Sequence, residues 1–353
     1  MRARSPAPDP ALAALLETAR EAPVPLLWFA DEQCADLDPA PLRRSGVQVL
    51  CNRYDVWRRL EQAGVAAYFN DFDTSGLPPQ RTVCHRIAKE KAVVHHLLNR
   101  SARLLAPGGI LWLAGARDEG IRSALDRAGR LLGGQPEARK LGPVYRGRVE
   151  RIEAPPGPSL DDCDYTRLRP VAVWDGVELL SKPGLFGWDR IDRGSALLAA
   201  HLPAFLGDPP PPAVLDLGCG HGHLAVAAWR CGVPRLLATD NNAAALATCR
   251  ANFEALGIPG EVRAGDCGDT LTERVPALLC NPPFHRGFEA SRELTVRFLA
   301  AATRLLQPHG RALFVVNRFI PLPRLAGAYF RHVDTVTEAD GFRLVALNGP
   351  RPT

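Results

Sequence analysis

Short apolar runs alternate with longer stretches of helical periodicity along the whole chain. Apolar runs bounded by turn residues are typical of buried strands, whereas apolar residues spaced by three and four are typical of helices. Strands that alternate with helices in this way predict α/β units with parallel sheets. The predicted strands cover residues 25–30, 46–51, 65–69 and 110–114 in the first half and 213–217, 235–239, 261–265 and 275–280 in the second.

A helix, a turn and a strand recur in the two halves at a constant offset of 201 residues, as from Leu98 to Leu299. The first copy is predicted as a helix over 82–105, with its polar side chains, including His95 and His96, on a solvated face in preference to an RNA-contacting one. Such a repeat indicates two halves of one architecture, as gene duplication produces. The proline-rich segment 154–158 can continue neither a helix nor a central strand. We therefore predict two domains, residues 1–160 and 161–353.

Composition and charge exclude some classes of protein. No apolar run is long enough to span a bilayer, and the amino terminus lacks the apolar core of a signal peptide, so a cytoplasmic protein without membrane association is expected. The nine cysteines form no Cys-x-x-Cys pair, so neither disulfides nor a metal site is expected. The net charge of +5 permits a nucleic-acid partner without predicting one. Most of that surplus lies in residues 1–170, with 25 basic against 21 acidic side chains.

Each of the four predicted strands of the second half ends in glycine or a polar residue. The first runs into the sequence Gly-Cys-Gly-His-Gly at 218–222, where glycine lets the backbone approach a ligand ahead of a helix. The next two lead to Asp240 and Asp266, and the fourth to Asn281. One acidic residue at such a place can be an ordinary helix cap. Because ligands of open α/β sheets bind at the carboxyl ends of strands, four successive polar ends predict a ligand site.

The fourth strand is followed by the corner Asn281-Pro282-Pro283-Phe284. Consecutive prolines fix φ and donate no backbone N–H, which leaves the carbonyl groups of Asn281 and Pro282 free to accept hydrogen bonds. An amide oxygen, a free carbonyl and an aromatic ring are thus held together, which suits a flat group carrying an NH2. Asn and Pro are also common in ordinary turns, so the corner by itself leaves a simple turn open.

Together these motifs resemble the class I S-adenosylmethionine-dependent methyltransferases, with Asp-x-Gly-x-Gly-x-Gly as the cofactor loop and Asn-Pro-Pro-Phe as the amino-methylating motif. More narrowly, the chain is similar to the bacterial ribosomal RNA guanine-N2 methyltransferases of the RsmC and RlmG type. The specific points are the entry segment 186–195, His285 after the corner, Val-Asn-Arg-Phe ending at Phe319, and a duplicated first half without a glycine loop. The resemblance implies an α/β fold of two tandem Rossmann-like methyltransferase domains. Each would have a mostly parallel seven-stranded-type sheet with flanking helices, and the N-terminal domain would lack a cofactor site.

The resemblance also implies a substrate and a set of site residues. The expected reaction transfers a methyl group from S-adenosylmethionine to the N2 amine of a guanine in ribosomal RNA, 16S rather than 23S, free or in an assembling subunit. Asp240 is expected on the cofactor's ribose, Asp266 on its adenine, and Asn281 beside both methyl donor and acceptor. The expected catalytic residues are Asn281, Pro282, Pro283 and Phe284. The expected cofactor-binding residues are Asp216, Gly218, Gly220, Gly222, Asp240, Asn241, Asp266, Cys267, Asn281, Gly194 and Ser195.

The chemistry of the corner fits this reaction. Oδ1 of Asn281 and the carbonyl of Pro282 can each accept one amine hydrogen, which turns the nitrogen lone pair toward the sulfonium methyl, while Phe284 stacks on the base. His285 is expected to make a structural hydrogen bond, with a proton-accepting role left open. The first domain is expected to position RNA. Two alternatives remain at this stage: a methyltransferase for adenine N6 or a protein glutamine amide, and a non-catalytic RNA-binding relict, which the complete motifs oppose.

Overall fold

The structure, a computed structural model, describes residues 9–153, 156–174, 176–283 and 287–352, with the backbone alone at residues 174 and 287–291. The chain divides into two compact units, Met1–Thr166 and Arg167–Thr353, called here the first and second unit. The division falls at residue 166, beyond the predicted boundary at 160. The reason is packing, since Asn99 holds the backbone of Leu160 by hydrogen bonds of 2.8 and 2.9 Å, and the buried Tyr165 donates to Asp71 at 2.7 Å.

The first unit is built on one seven-stranded sheet. Its strands are β1 Leu26–Ala30, β2 Val47–Cys51, β3 Ala67–Phe69, β4 Gln80–Arg86, β5 Leu105–Ala116, β6 Glu137–Leu141 and β7 Val144–Glu150. Its helices are α1 Pro10–Glu21, α2 Tyr54–Gln62, α3 Lys91–Leu104 and α4 Ile121–Leu132. The strand order is β3-β2-β1-β4-β5-β7-β6; β7 runs antiparallel to both β5 and β6, and the other pairs are parallel.

Side chains of β1 alternate between two hydrophobic clusters, because successive residues of a strand face opposite sides of a sheet. Leu27 and Phe29 pack in the cluster that contains residues of α3 and α4. Leu26 and Trp28 pack in the cluster that contains residues of α1 and α2. The sheet is therefore covered by helices on both faces, which is why its central strand β1 is apolar throughout.

The second unit repeats this plan after a short hairpin. The hairpin strands are β8 Arg169–Trp174 and β9 Val177–Ser181, and the sheet strands are β10 Val214–Leu217, β11 Leu236–Asp240, β12 Gly260–Ala264, β13 Val275–Cys280, β14 Leu306–Asn317, β15 Phe330–Ala339 and β16 Phe342–Pro350. The helices are α5 Arg193–Ala200, α6 Leu202–Leu206, α7 His223–Arg230, α8 Ala243–Leu256, α9 Gly287–Leu305 and α10 Leu322–Ala326. The order β12-β11-β10-β13-β14-β16-β15 equals that of the first unit. The predicted fold class, two tandem α/β units with mostly parallel seven-stranded sheets, is confirmed.

Three local predictions were wrong. The residues predicted to begin a long helix at 82 belong to β4, where Thr82, Val83 and Cys84 are buried between two parallel neighbours. A strand buried on both faces lacks the alternation that identifies a half-exposed strand. His95 and His96 of α3 are 4% and 3% exposed rather than solvated. The helix predicted over 195–206 is two helices, α5 and α6, with a proline in the first turn of α6.

Candidate active site

The carboxyl end of β10 turns into α7 through the glycine loop, residues 218–222. Its three glycines have φ angles of 82°, 53° and 88°, in the left-handed region that glycine enters without steric cost. Two loop N–H groups donate to the carbonyl of Thr239 in β11, at 2.9 and 3.1 Å. A Cβ at Gly222 would lie only 2.8 Å from Sγ of Cys249, so this position also lacks room for a side chain. The loop is thus held in one conformation by β11 and α8.

Asp216 lies in β10 and is completely buried. Its Oδ2 accepts the N–H of Ala225 at 3.0 Å, in the first turn of α7, where the N-cap residue Gly222 has no side chain to serve as a cap. Its Oδ1 is also buried and has no hydrogen-bond partner within the described residues. Burial raises the pKa of this carboxyl to about 7, opposed by the Ala225 N–H and assisted by the charge of Asp240. Asp216 therefore joins strand to helix across the loop.

Asp240, at the end of β11, holds the middle of the loop. Oδ2 accepts the N–H of Gly220 at 3.0 Å and Oδ1 accepts that of Asn242 at 2.9 Å. Because a carboxylate oxygen offers about two lone pairs, each oxygen keeps one for a further donor. Asn242 caps α8 and donates Nδ2 to the carbonyl of Gly184 at 2.7 Å, which links the segment ahead of α5 to this strand end. Asn241 beside it is half-buried.

The third strand end, after β12, carries Asp266 and Cys267 in a single helical turn. The Asp266 carboxylate pairs with the guanidinium of Arg297 from α9, and its backbone N–H donates to Asp269 at 2.8 Å. Cys267 has a φ of 48°, and burial raises the pKa of its thiol to about 12. Asp266 is therefore held at the sheet edge by α9, with its carboxylate still partly exposed.

Asn281, directly after β13, is joined to the start of α5. Its Nδ2 donates to Oδ2 of Asp192 at 2.7 Å and to Oγ of Ser195 at 2.8 Å. The same Oδ2 of Asp192 accepts the N–H of Ser195 at 2.9 Å and so caps α5. Oδ1 of Asn281 receives no hydrogen bond from the part of the chain that the structure describes. The amide thus has its NH2 group occupied and its oxygen available.

Sequence reasoning missed two residues of this site. Asp192 was not selected, although an Asp three residues ahead of Ser195 is the usual signal of a helix cap. Asn252 of α8 is completely buried and donates Nδ2 to the carbonyl of His221 at 2.8 Å and to that of Leu180 at 3.0 Å. Its contacts bridge the glycine loop and β9, and no local pattern could have identified them.

Comparisons with known proteins agree with this geometry. The family model described as "Methyltransferase small domain" matches residues 176–346. A ribosomal RNA small subunit methyltransferase C of Pseudomonas aeruginosa (strain UCBPP-PA14) is 34% identical over 299 residues, covering 82% of this chain and 86% of that protein. The chain belongs to the ribosomal RNA small subunit methyltransferase C family. The expected family and the expected enzyme class, a methyltransferase, are therefore confirmed.

Two further relatives extend the similarity over most of the chain. The family member of Pectobacterium atrosepticum is 28% identical and covers 93% of this chain and 91% of its own length. A solved structure, the T. thermophilus 16S rRNA N2 G1207 methyltransferase (RsmC) in complex with AdoMet and guanosine, has a TM-score of 0.82 and 26% identity. It covers 97% of this chain and 92% of that chain. Both units of the fold are therefore shared with that enzyme.

The first unit carries different chemistry at the strand end that corresponds to Asn281. In the second unit Val214 of the central strand pairs with Ala277, four residues before Asn281. In the first unit Leu26 pairs with Thr82, four residues before Arg86. Arg86 is nearly buried, and its guanidinium pairs with Asp9 at 2.9 Å and with Glu119 at 2.6 and 2.9 Å. An ion-paired cluster, Arg86 with Asp9 and Glu119, thus occupies this strand end in the first unit.

The structure brings most of the predicted site residues to one edge of the second sheet. Because β10, β11, β12 and β13 are parallel neighbours, their carboxyl ends lie side by side. Pro282 is buried and Pro283 exposed, while Phe284 and His285 lie outside the described residues. No helix in the described ranges is long and apolar enough to cross a bilayer, and no group of three or more His, Cys, Asp or Glu there could hold a metal ion.

Proposed function

We propose that this protein transfers a methyl group from S-adenosylmethionine to the exocyclic N2 amine of a guanine in 16S ribosomal RNA. The observation that carries the proposal is the amide of Asn281, whose NH2 is held by Asp192 and Ser195 so that Oδ1 is available to accept an amine hydrogen. The similarity to an RsmC structure containing AdoMet and guanosine supports the same chemistry. We expect the enzyme to act in the cytoplasm, where ribosomal RNA is made and assembled.

The residues at the four strand ends fit the cofactor. A Cβ at Gly220 would meet no atom within 4 Å, so the loop is open on the side of this residue and a ligand can approach its backbone. Asp240 keeps one lone pair on each carboxylate oxygen, which suits the two hydroxyls of a ribose. Asp266, still partly exposed beside Arg297, is placed to accept from an adenine amino group. Asn241 and Cys267 flank these two acidic residues and would line the same site.

S-adenosylmethionine, when bound, supplies an electrophilic methyl group on sulfur. The residues of this chain hold the guanine amine in position for attack on that methyl group. Oδ1 of Asn281 and the carbonyl of Pro282 would each accept one hydrogen of the guanine amine, so that the nitrogen lone pair, otherwise delocalised into the ring, faces the methyl carbon. The N–C bond forms as the C–S bond breaks, and the methylated nitrogen then releases a proton to water. No strong base is needed before attack, and the acceleration comes from orientation and fixed dipoles.

The first unit is proposed to position the RNA substrate. Residues 1–166 carry 23 basic and 21 acidic side chains, and the basic ones can contact phosphates. The ion-paired cluster of Arg86 at the strand end corresponding to Asn281 favours a supporting rather than a catalytic role. An assembling small subunit is the proposed physiological form of the substrate, since a folded RNA offers both units a surface to contact.

Nucleoside analysis tests the function directly. Purified protein is incubated with methyl-labelled S-adenosylmethionine and, in separate reactions, 16S RNA, 23S RNA and small subunits lacking the modification. N2-methylguanosine from 16S RNA is expected, with Asn281→Ala as the inactive control. Label in N6-methyladenosine, or in protein instead of RNA, would refute the proposed acceptor. Absence of heat on titration with S-adenosylmethionine would favour a non-catalytic relict instead.

A further inference from the structure

We propose that Asp192, assisted by Ser195, is a positioning residue that fixes which end of the Asn281 amide faces the acceptor base. The proposal rests on the proposed function of the same site and adds a residue to it. Asp192 lies 89 positions before Asn281 in the sequence, and the two side chains meet at 2.7 Å. Ser195 adds a second contact to the same NH2 group at 2.8 Å.

The carboxylate of Asp192 permits only one orientation of the Asn281 amide. A carboxylate can only accept hydrogen bonds, so it must face the NH2 group of Asn281 and not its oxygen. The reversed amide would place Oδ1 against Oδ2 of Asp192, two acceptors in contact. It would also present an NH2 group to the guanine amine, where both groups are donors and no hydrogen bond forms. Asn281 can therefore act as an acceptor only in the orientation that Asp192 selects.

The Asp192 carboxylate is itself held in place. Its Oδ2 caps α5 by accepting the N–H of Ser195 at 2.9 Å, and its backbone is extended, as for most N-cap residues. A Cβ at Gly194 would lie 3.1 Å from this Oδ2 and 3.0 Å from the ring of Phe342. Gly194 therefore leaves the room that the carboxylate occupies. The start of α5 thus acts as a rigid support for the corner after β13.

Substitutions can separate positioning from helix capping. Asp192→Ser keeps a good N-cap but withdraws the acceptor from Asn281, because the serine side chain is shorter. Asp192→Asn keeps an oxygen able to accept both hydrogen bonds but removes the charge. Ser195→Ala removes the second acceptor and leaves the cap intact. Asp38→Ser is the control for the substitution itself, since Asp38 accepts the N–H of Ala40 in an exposed turn of the first unit.

The expected result is a graded loss of turnover on 16S RNA. We expect kcat to fall about threefold in Asp192→Asn, about tenfold in Asp192→Ser and about 100-fold in the double variant that combines Asp192→Ser with Ser195→Ala, comparable to removing one preorganised catalytic group. The KM for S-adenosylmethionine should stay within about twofold in Asp192→Asn and Asp192→Ser, and Asp38→Ser should match the wild type. In an Asn281→Ala background, the same substitutions should change the residual rate by less than about twofold, because Asp192 acts through Asn281.

If the protein produces N2-methylguanosine, either of two results would overturn the proposal. One is a wild-type kcat in the double variant. The other is an equal fold-loss of turnover from these substitutions in the wild-type and Asn281→Ala backgrounds. Melting temperatures check folding, and Ser195→Ala keeps the test valid if the Asp192 variants are unstable.

A readout independent of activity is the side-chain NH2 signal of Asn281 in NMR spectra, assigned from Asn281→Ala. We expect the NH2 hydrogens of Asn281 to exchange slowly with solvent in the wild type and fast in Asp192→Ser. Fast exchange in the wild type would refute the contact between Asn281 and Asp192, even if no RNA is methylated.

Discussion

Replacing Asp216 by Asn is expected to stabilise the second unit at pH 8 and to have little effect at pH 4. The carboxyl is completely buried, with Oδ1 lacking a partner within the described residues, and its pKa is raised from 3.8 to about 7. The folded chain therefore binds the proton more tightly than the unfolded chain. As pH rises from about 4 to about 7, the unfolded chain releases this proton first, and the wild type loses stability across that window.

The magnitude follows from the size of the shift. A difference of about three pKa units corresponds to at most about 4 kcal/mol, at about 1.36 kcal/mol per unit. Asn keeps an oxygen to accept the N–H of Ala225 and carries no charge at any pH. Its NH2 group, like the hydroxyl of the protonated acid, lacks a partner at the Oδ1 position. Wild type and variant should thus be close in stability at pH 4 and diverge above it.

Hydrogen exchange under increasing urea measures the stability of each unit separately. Peptides from β10 and α7 report the second unit, at pH 4.5, 6 and 8. Asp31→Asn is the control, because burial also raises the pKa of Asp31 to about 7, in the first unit. The difference in stability between Asp31→Asn and the wild type should grow with pH in the same way in first-unit peptides, and β10 peptides should show no difference between the two proteins. A difference between the Asp216→Asn variant and the wild type that stays constant from pH 4.5 to 8 would refute the reasoning.

Three further predictions concern the corner, the first unit and the RNA contact. Asn281→Ala should lower turnover by at least about 100-fold while calorimetric affinity for S-adenosylmethionine stays within about tenfold, since Asn281 acts on the acceptor; unchanged turnover would show the corner to be a simple turn. Arg86→Met should destabilise the first unit by about 3 kcal/mol or more in urea unfolding, because the carboxylates of Asp9 and Glu119 lose their partner; a variant as stable as the wild type would contradict this. Phe319 is 64% exposed just after β14, beside β13 in the sheet, and Phe319→Ala should raise the KM for RNA by about tenfold through lost base stacking. Its affinity for S-adenosylmethionine should not change, and equal KM values for RNA would exclude the contact.

The features that the sequence predicted are those encoded within a few residues. The glycine loop, Asp240 and Asn281 each follow an apolar run, and the geometry of a parallel sheet then brings the strand ends together. The strand β4 was predicted as a helix because Thr82 to Arg86 lacks the alternation of a half-exposed strand and leads directly into a true helix. Its identity as a strand depends on the two neighbours between which it is buried.

The features that the sequence did not predict depend on distant partners. Asp192 contacts Asn281 across 89 residues, and Asn252 contacts Leu180 across 72. Neither pair has a periodicity, because each arises where separate elements meet at the sheet edge. Asp192 carries the local signal of a helix cap, and that signal says nothing about the second hydrogen bond to the corner. The roles of the individual site residues remain predictions, with the variants above as their tests.

The ion-paired cluster of Arg86 bears on how the two units can evolve. A single change of Arg86 to Asn would not recreate an amide corner in the first unit, since it would leave the carboxylates of Asp9 and Glu119 close together without their cation. Loss of Asp9 alone would leave Arg86 paired with Glu119, but loss of either member of that remaining pair would leave an uncompensated, largely buried charge. Arg86 and Glu119 would have to change together, so specialisation of the first unit is reinforced by its own packing, independently of any selection on RNA methylation.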